Sequence, residues 1–185
     1  PGIKVVAPSN AYDAKGLLTQ AIRDDDPVVF CEHKAIYDEV AEVPDEEFVI
    51  PFGEARKVCE GNHVTIVAFS RMVLFAEQAA KKLSSEGISV EVIDPRTLSP
   101  LDDKSIIDSV EKTGKLLIVD EANPYCSMAS EVSSVVVEKA FHALKAPIRK
   151  ITSPHTPVPA SPTLETFYVP SVSQIEDVVR ELSNY

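Results

Sequence analysis

Residues 63–98 read HVTIVAFSRMVLFAEQAAKKLSSEGISVEVIDPRTL. The run 64–69 is continuously apolar, too short for a helix and rich in β-branched residues, which is typical of a strand buried on both faces of a parallel sheet. We expect a helix to follow, with Ser70 as its N-cap and Gly87 at its end. Residues 88–93 then read as a second strand. A strand, a helix and a strand joined by short connections make a βαβ unit.

The segments before this stretch predict a second, smaller unit. Residues 3–7 and 28–31 read as strands and residues 11–24 as the helix between them, so residues 1–33 form another βαβ unit. Two strands and one helix cannot bury a core alone. The unit therefore either packs on the rest of the chain, partly detached, or belongs to a domain that begins upstream. The acidic stretch 34–47 shows no periodicity and is predicted to be a linker.

After the linker, strands and helices alternate, which predicts a three-layer α/β domain with a mostly parallel sheet over residues 48–185. Ser171 is the expected N-cap of its last helix. The only biased segment is a proline-rich loop, residues 154–162. The further elements predicted in this part are strands at 48–52, 55–59, 115–120 and 148–151, and helices at 102–112, from Ser127 or Ser130 to 144, and at 172–182.

The composition excludes several kinds of partner. The chain has 185 residues and a net charge of −11, which argues against nucleic acid, because phosphates attract clustered Lys and Arg. No apolar run approaches the roughly 20 residues of a membrane span, and no signal peptide is visible. We therefore expect an intracellular protein, cytoplasmic or, in a eukaryote, in the mitochondrial matrix. Because the sequence starts at Pro1 without a methionine, we also expect processing or a longer parent protein.

Polar residues follow the predicted strands, where a doubly wound sheet binds its ligands. They form no G-x-G-x-x-G motif and no P-loop, so neither a dinucleotide nor a nucleoside triphosphate is indicated. Such residues suggest a site, but the ends of parallel strands also collect polar residues for structural reasons, and both interpretations stay open. These candidates are Ser70, Arg71, Asp94, Arg96, Asp120, Glu121, Asn123, Ser153 and His155.

The cysteines and histidines show no spacing typical of a metal site. Cys31, Cys59 and Cys126 contain no CxxC pair and are odd in number, so a disulfide framework is not expected either. Cys126 lies near a predicted helix start, where a thiolate would be stabilised, but no histidine neighbours it in the sequence. His142 is expected at the surface.

Two stretches carry a resemblance to a known family. PGIKVVAPSNAYDAKGLLTQAIRDDDPVVFCEH, residues 1–33, resembles the closing part of the pyrimidine-binding domain in β subunits of thiamine-diphosphate-dependent 2-oxo acid dehydrogenases. VTIVAFSRMV and EGISVEVIDPRTLSPLD resemble the transketolase-like C-terminal domain that follows it. Two further segments, EANPYCSMASE and SPHTPVPASPTLETFYVPS, are more similar to acetoin dehydrogenase β subunits than to the pyruvate or branched-chain enzymes.

The resemblance implies an α/β transketolase C-terminal-domain-like fold preceded by a βαβ remnant of a pyrimidine-binding domain. It implies a subunit of an α2β2 component that cleaves acetoin or decarboxylates a 2-oxo acid oxidatively and transfers the acyl group to lipoyl groups. The implied partners are the α subunit, a second β subunit and the dihydrolipoamide acyltransferase core. Lys145 stands where pyruvate-type β subunits have an acid, which puts the usual ion pair with that core in doubt.

In this family thiamine diphosphate lies between α and β, and the α subunit holds the diphosphate and magnesium. The Glu and His that act on the cofactor lie upstream of the segment that matches Pro1. The resemblance therefore assigns no catalytic and no cofactor-binding residue to this chain, and we expect the isolated chain to be inactive and not to bind thiamine diphosphate tightly. The alternative is a non-catalytic dimerisation and docking module.

Many β subunits of the family bind a potassium ion where the first helix ends. The resemblance places these ligand positions at Ala21, Ile22, Asp24 and Asp26. Three consecutive acids, residues 24–26, also crowd the helix C-terminus, where the helix dipole is already negative, so a cation would be favoured there. The alternative is a solvated acidic loop.

Overall fold

The computed structural model describes residues 2–185 as eight strands, six α-helices and two short 3₁₀ turns. The strands are β1 (Lys4–Val6), β2 (Val28–Phe30), β3 (Arg56–Cys59), β4 (Val64–Ala68), β5 (Val90–Asp94), β6 (Thr97–Ser99), β7 (Leu116–Asp120) and β8 (Arg149–Thr152). The α-helices are α1 (Ala11–Arg23), α2 (Arg71–Ser84), α3 (Asp103–Thr113), α4 (Met128–Ala140), α5 (Pro162–Tyr168) and α6 (Val172–Ser183).

The larger sheet has the order β3-β5-β4-β7-β8. β4 pairs in parallel with both β5 and β7, and β7 pairs in parallel with β8. Only the edge strand β3 is antiparallel to its neighbour. All five residues of β4 are buried, as its unbroken apolar run predicts for a central parallel strand. The predicted α/β fold with a mostly parallel sheet is therefore confirmed.

Helices cover both faces of this sheet and give the domain three layers. On one face, α2 and α6 pack against Val64 and Ile66 of β4. On the other face, α3 and α4 pack against Val67. Successive side chains of a strand point to opposite faces, so β4 contributes to both cores.

The N-terminal unit, residues 2–33, forms the predicted βαβ arrangement with β1 parallel to β2. Its sheet has a third member that the sequence did not reveal, because β6 pairs antiparallel with the other side of β1. β6 belongs to the stretch EGISVEVIDPRTLSPLD, which also contains β5. The N-terminal unit and the C-terminal unit, residues 48–185, are thus joined by main-chain hydrogen bonds.

Two local predictions are wrong, and one helix is not predicted. Residues 48–52 form no strand, because Pro51 lacks an N–H and the apolar side chains of this segment pack against α1 instead, with Phe48 stacked on Tyr12 at 4.5 Å between ring centroids. Ser70 makes no capping bond at the start of α2. The proline-rich loop runs into a helix, α5, with Pro162 in its first turn, where its missing N–H costs nothing.

Candidate functional site

The carboxyl ends of the central strands carry the strained backbone of the described chain. Ser70, Arg96 and Cys126 have φ values of 48°, 62° and 51°, and they are the non-glycine residues with positive φ within residues 2–185. Ser70 follows β4, Arg96 follows β5, and Cys126 lies between β7 and α4. Side chains in this region of φ cost free energy and concentrate at functional positions. This edge of the sheet is therefore the candidate site.

The N-terminal unit lies directly on this edge. The Ser70 hydroxyl donates to the carbonyl oxygen of Pro8 at 3.1 Å, and the N–H of Ala7 donates to the carbonyl of Arg96 at 2.9 Å. The Ser9 hydroxyl donates to Asp94 Oδ2 at 2.6 Å. Each contact joins the turn before α1 to a strand end of the C-terminal unit. The position where a doubly wound sheet binds a ligand is here occupied by the protein itself.

Four charged residues, Asp13, Arg56, Asp94 and Arg96, form what we call the Asp13 cluster. Asp13 lies on α1 and is completely buried. Its Oδ1 accepts a hydrogen bond from Arg96 Nη2 at 2.7 Å. Arg56 Nε lies 3.2 Å from its Oδ2, a distance that gives charge attraction, although the angle excludes a hydrogen bond. Because the carboxylate has two guanidinium partners, its burial is compensated.

Asp94 completes the cluster from the end of β5. It is fully buried, and its Oδ1 accepts the N–H of Arg96 at 3.0 Å. Arg56 Nη2 lies 3.4 Å from its Oδ2. Burial raises the pKa of the Asp94 carboxyl above its usual value, and the hydrogen bond from Ser9 and the charge of Arg56 oppose that shift.

The residues that follow Asp13 on α1 bind the acidic stretch predicted as a linker. Lys15 Nζ donates to the carbonyl oxygens of Asp45 at 3.1 Å and Glu46 at 2.9 Å, and also contacts that of Pro44. Because Gly16 has no side chain, the segment that contains Phe48 and Ile50 can pack closely on α1. A Cβ at Gly16 would lie 2.6 Å from Phe48 and 2.7 Å from Ile50. The D-A-K-G sequence of the N-terminal motif is therefore an interface between the two units.

A second polar contact crosses the same edge. His33 Nε2 lies 2.6 Å from Glu121 Oε2, and Arg71 Nη1 donates to Glu121 Oε1 at 3.3 Å. The His33 and Glu121 side chains remain 29% and 23% exposed. A cavity of about 190 Å³ adjoins His33 on the side of Asn10 and Tyr37. His33 and Glu121 are therefore the polar pair at this edge that solvent and a ligand can reach.

A serine nucleophile is not assembled there. Ser70 stands on a sharp strand-to-helix turn, which is also where hydrolases of the α/β type expose their serine. Its hydroxyl, however, donates to Pro8 rather than to His33, and no G-x-S-x-G sequence surrounds it. The geometry therefore favours a structural role for Ser70.

The loops after β7 and β8 bring together the remaining candidates from the sequence. The rings of Tyr125 and His155 meet edge to face with centroids 4.8 Å apart. The N–H of Ser153 donates to Ala122, and the N–H of Ala122 donates to Asp120, whose carboxyl pKa is raised by burial. Residues 121–131 and residues 153–171 thus contact each other.

At the predicted potassium site, Lys4 supplies positive charge. Its Nζ donates to Asp24 Oδ1 at 2.5 Å and to Asp26 Oδ2 at 3.0 Å. These hydrogen bonds raise the pKa of Lys4, and the bond from Lys4 lowers that of Asp24. Within residues 2–185, no cluster of three His, Cys, Asp or Glu side chains is placed to hold a metal. The site at Ala21, Ile22, Asp24 and Asp26 stays a prediction, in which an ion would share its oxygens with Lys4.

Sequence reasoning identified Asp94 and Arg96 as strand-end residues but missed Asp13 and Arg56. The signal for Asp13 was present, because it lies one helical turn before Leu17 on the buried side of α1. A carboxylate in that position requires a cationic partner. Arg56 carried no such signal, since it lies at the start of an edge strand.

No helix within residues 2–185 is long and apolar enough to span a membrane.

Comparison with known proteins agrees with this architecture. The family model of the transketolase C-terminal domain matches residues 53–175, and that of the transketolase pyrimidine-binding domain matches residues 1–39. The acetoin:2,6-dichlorophenolindophenol oxidoreductase subunit beta of Cupriavidus necator is 54% identical over 181 residues, which is 98% of this chain and 54% of that protein. The 2-oxoisovalerate dehydrogenase subunit beta of Bacillus subtilis is 42% identical over 187 residues, which is 100% of this chain and 57% of that protein.

A solved structure of a split-gene transketolase, described as an inactive β4 tetramer, superposes with a TM-score of 0.80 at 25% sequence identity, covering 100% of this chain and 58% of that one. The chain thus spans about half the length of the relatives it matches. The chain belongs to the transketolase C-terminal domain family and carries, beside that domain, a segment of a transketolase pyrimidine-binding domain.

Proposed function

We propose that this chain is part of the β subunit of a thiamine-diphosphate-dependent oxidoreductase. The reaction is the oxidative cleavage of acetoin, or the oxidative decarboxylation of a 2-oxo acid, with transfer of the acyl group to lipoyl groups. Of these substrates we favour acetoin, because the sequence of this chain is 54% identical to the acetoin subunit and 42% identical to the 2-oxoisovalerate subunit.

Within such a subunit, the part described here holds the pyrimidine-binding unit in a fixed orientation. The observation that carries this proposal is the burial of Asp13 between Arg56 and Arg96. Asp13 and Arg96 belong to the two motifs by which the chain resembles its family. The motifs thus meet at the contact between the units, and changing their geometry would move the pyrimidine-binding unit.

We assign no thiamine contact to the described residues. The polar groups at the carboxyl edge bind one another, as in the bonds between Ser9 and Asp94 and between His33 and Glu121. When bound, the cofactor supplies the nucleophilic carbon that attacks the substrate carbonyl, and in the proposal the diphosphate and magnesium are held by the α subunit. The chain alone is accordingly inactive.

The further partners in the proposal are a second β subunit and the dihydrolipoamide acyltransferase core, in the cytoplasm or, in a eukaryote, in the mitochondrial matrix. A potassium ion at Asp24 and Asp26 belongs to the same proposal. The competing function is a non-catalytic dimerisation and docking module, which the fold alone would also serve.

The test is co-expression of the complete coding sequence of this protein with its α partner, followed by dye reduction assays with acetoin, pyruvate and 2-oxoisovalerate. We expect thiamine-dependent reduction that is fastest with acetoin. Asp13→Asn should lower this rate, whereas Asp38→Asn, at an exposed residue, should leave it unchanged. Absence of thiamine-dependent turnover with every substrate would favour the docking module.

A further inference from the structure

His33, which precedes the linker of residues 34–47, uses both of its ring nitrogens in polar contacts. Its Nδ1 accepts the N–H of Ala35 at 3.2 Å. This bond caps the 3₁₀ turn Lys34–Ile36, with which the linker begins. On the other side of the ring, Nε2 lies 2.6 Å from Glu121 Oε2. One ring therefore joins the first turn of the linker to the C-terminal unit.

The bond from Ala35 defines the protonation state of the His33 ring in this structure. A neutral imidazole carries its proton on one nitrogen and accepts with the other. Because Nδ1 accepts here, the proton lies on Nε2, which donates to Glu121. A second proton can enter only at Nδ1, and there it would point at the N–H of Ala35. The protonated ring and the capped turn therefore exclude each other.

Protonation strengthens the contact of the ring with Glu121. The charged ring and the carboxylate form an ion pair, and hydrogen bonds to charged groups are about twice as strong as neutral ones. Arg71 Nη1 donates to the other carboxylate oxygen, Oε1, at 3.3 Å and so keeps Glu121 in place. The 3₁₀ turn loses its capping bond and keeps two backbone bonds, of 3.1 and 3.3 Å. The turn is thus the part that moves.

The other titratable groups near the ring lie on the side of the linker. The cavity of about 190 Å³ beside His33 is bounded by the start of α1 and by residues 32–39. The titratable side chains that share this cavity with His33 are Glu32, Tyr37 and Glu39. The Tyr37 hydroxyl donates to Glu32 at 3.1 Å. A protonated His33 ring would thus have the carboxylate of Glu121 on one side and two further carboxylates in the cavity.

We infer that His33 is a pH-sensitive switch for the first turn of the linker. The neutral ring caps the turn Lys34–Ile36, whereas the ring that has taken a proton from solvent on Nδ1 releases the turn and stays bound to Glu121. Histidine is the side chain whose charge ordinarily changes between about pH 5 and pH 8, so we expect the release in that range. Because the turn and the residues after it form one wall of the cavity, the cavity opens when they move. The inference holds for either function considered above.

The first measurement identifies the protonated ring nitrogen in the full-length protein. With ¹⁵N-labelled histidine, ¹H–¹⁵N spectra distinguish the two nitrogens, and the signal that disappears in His33→Asn belongs to His33. We expect a proton on Nε2 alone at about pH 8 and on both nitrogens at about pH 5. A proton on Nδ1 alone at the higher pH would overturn the inference, and so would a ring that stays neutral at the lower one.

The second measurement, millisecond hydrogen exchange read by mass spectrometry, follows the release of the turn. After correction for the intrinsic effect of pH on exchange, the peptide that contains Ala35 should lose protection about fivefold between about pH 8 and about pH 5, the factor that corresponds to one hydrogen bond. The peptide around Gln174 is the internal control, because neither side chain of its capping box titrates in this range. Its protection should stay constant.

Two variants separate the switch from a general effect of acid. In His33→Asn the side-chain oxygen can cap the turn but takes up no proton, so the turn should stay protected at both pH values. In His33→Lys the side chain has no acceptor, so protection should be low at both. Thermal unfolding shows whether each variant is folded, and the wild-type measurements decide where one is not. Constant protection of the turn in wild type, or the same pH-dependent loss in folded His33→Asn, would overturn the inference.

Discussion

Asp13 on α1 accepts a hydrogen bond of 2.7 Å from Arg96, which lies 83 residues later, after β5. The bond joins the N-terminal unit to the C-terminal unit inside the protein, since Asp13 is completely buried. Each of the two residues also belongs to a sequence motif that identifies the family. The two motifs therefore form the contact between the N-terminal and C-terminal units, and substitutions at single residues can test it.

Asp13→Asn should destabilise the protein by about 3 kcal/mol. This lies at the lower end of the cost of breaking a buried ion pair, because Arg56 is about one third exposed and can regain water. Urea unfolding of the variant and of wild type measures the difference. Asp25→Asn is the matched control, since Asp25 is exposed on the same unit. Equal losses for the two variants would contradict a special role for Asp13.

Gly16→Ala should destabilise by about 1–3 kcal/mol, the usual cost of overpacking. The new methyl group would lie 2.6 Å from Phe48 Cε2 and 2.7 Å from Ile50 Cγ1. Alanine otherwise favours a helix over glycine, so the sign of the effect reports on the contact alone. Combining Gly16→Ala with Phe48→Leu and Ile50→Val should recover part of the loss. An increase in stability for Gly16→Ala would show that residues 48–50 do not press on α1.

The large sheet was predictable from the sequence and the smaller one was not. Apolar runs such as that of β4 follow from burial on both faces, which is a local property of the chain. β6 has only three residues and pairs with β1 across the fold, so no local pattern reveals it. The predicted N-cap at Ser171 is confirmed, and its partner Gln174 lies in the same helix, close in sequence. The predicted N-cap at Ser70 is wrong, because the Ser70 hydroxyl donates to the carbonyl oxygen of Pro8 in the other unit.

The candidate site was predictable only in part, because it too depends on contacts between residues that are distant in sequence. Strand ends are visible in the sequence, so Asp94, Arg96 and Glu121 were identified as candidates. Their partners are distant in sequence, as in the pairs Asp13 with Arg96 and His33 with Glu121. Which polar groups neutralise one another depends on the packing of two units, and a single sequence does not encode that in any periodic pattern.

Two aspartates should give opposite dependence on pH. Burial raises the pKa of Asp94, so its contribution to stability is present below its unfolded pKa of about 3.9 and is lost as pH rises through the folded pKa. Asp102, although burial acts to raise its pKa, is held below the usual value by hydrogen bonds from Ser105 and Ala55. Its contribution is present above the unfolded pKa and is lost as pH falls through the folded one.

Melting temperatures between about pH 3 and pH 7, compared with those of Asp94→Asn and Asp102→Asn, measure both effects. The stability of Asp94→Asn relative to wild type should rise with pH, and that of Asp102→Asn should fall. Parallel curves for the two variants would contradict the assignment of opposite shifts.

Ser171→Ala should destabilise by about 1 kcal/mol, the typical value of an N-cap. The Ser171 hydroxyl accepts from the N–H of Gln174, and the Gln174 side chain accepts the N–H of Ser171, which makes a complete capping box. Ser161→Ala is the matched control, because Ser161 precedes α5 without a capping bond. Denaturant unfolding compares the two, and an equal loss for both would rule out the capping box as a contributor.

A double-mutant cycle of Asp13→Asn and Arg96→Met tests most directly whether this ion pair holds the two units together. The free energies of unfolding of wild type, both single variants and the double variant give the coupling between the two side chains. A buried pair predicts a coupling of about 1–3 kcal/mol, with the double variant more stable than the sum of the single losses implies. Additive losses, with a coupling below about 0.5 kcal/mol, would show that the contact between Asp13 and Arg96 does not join the units and would contradict the account.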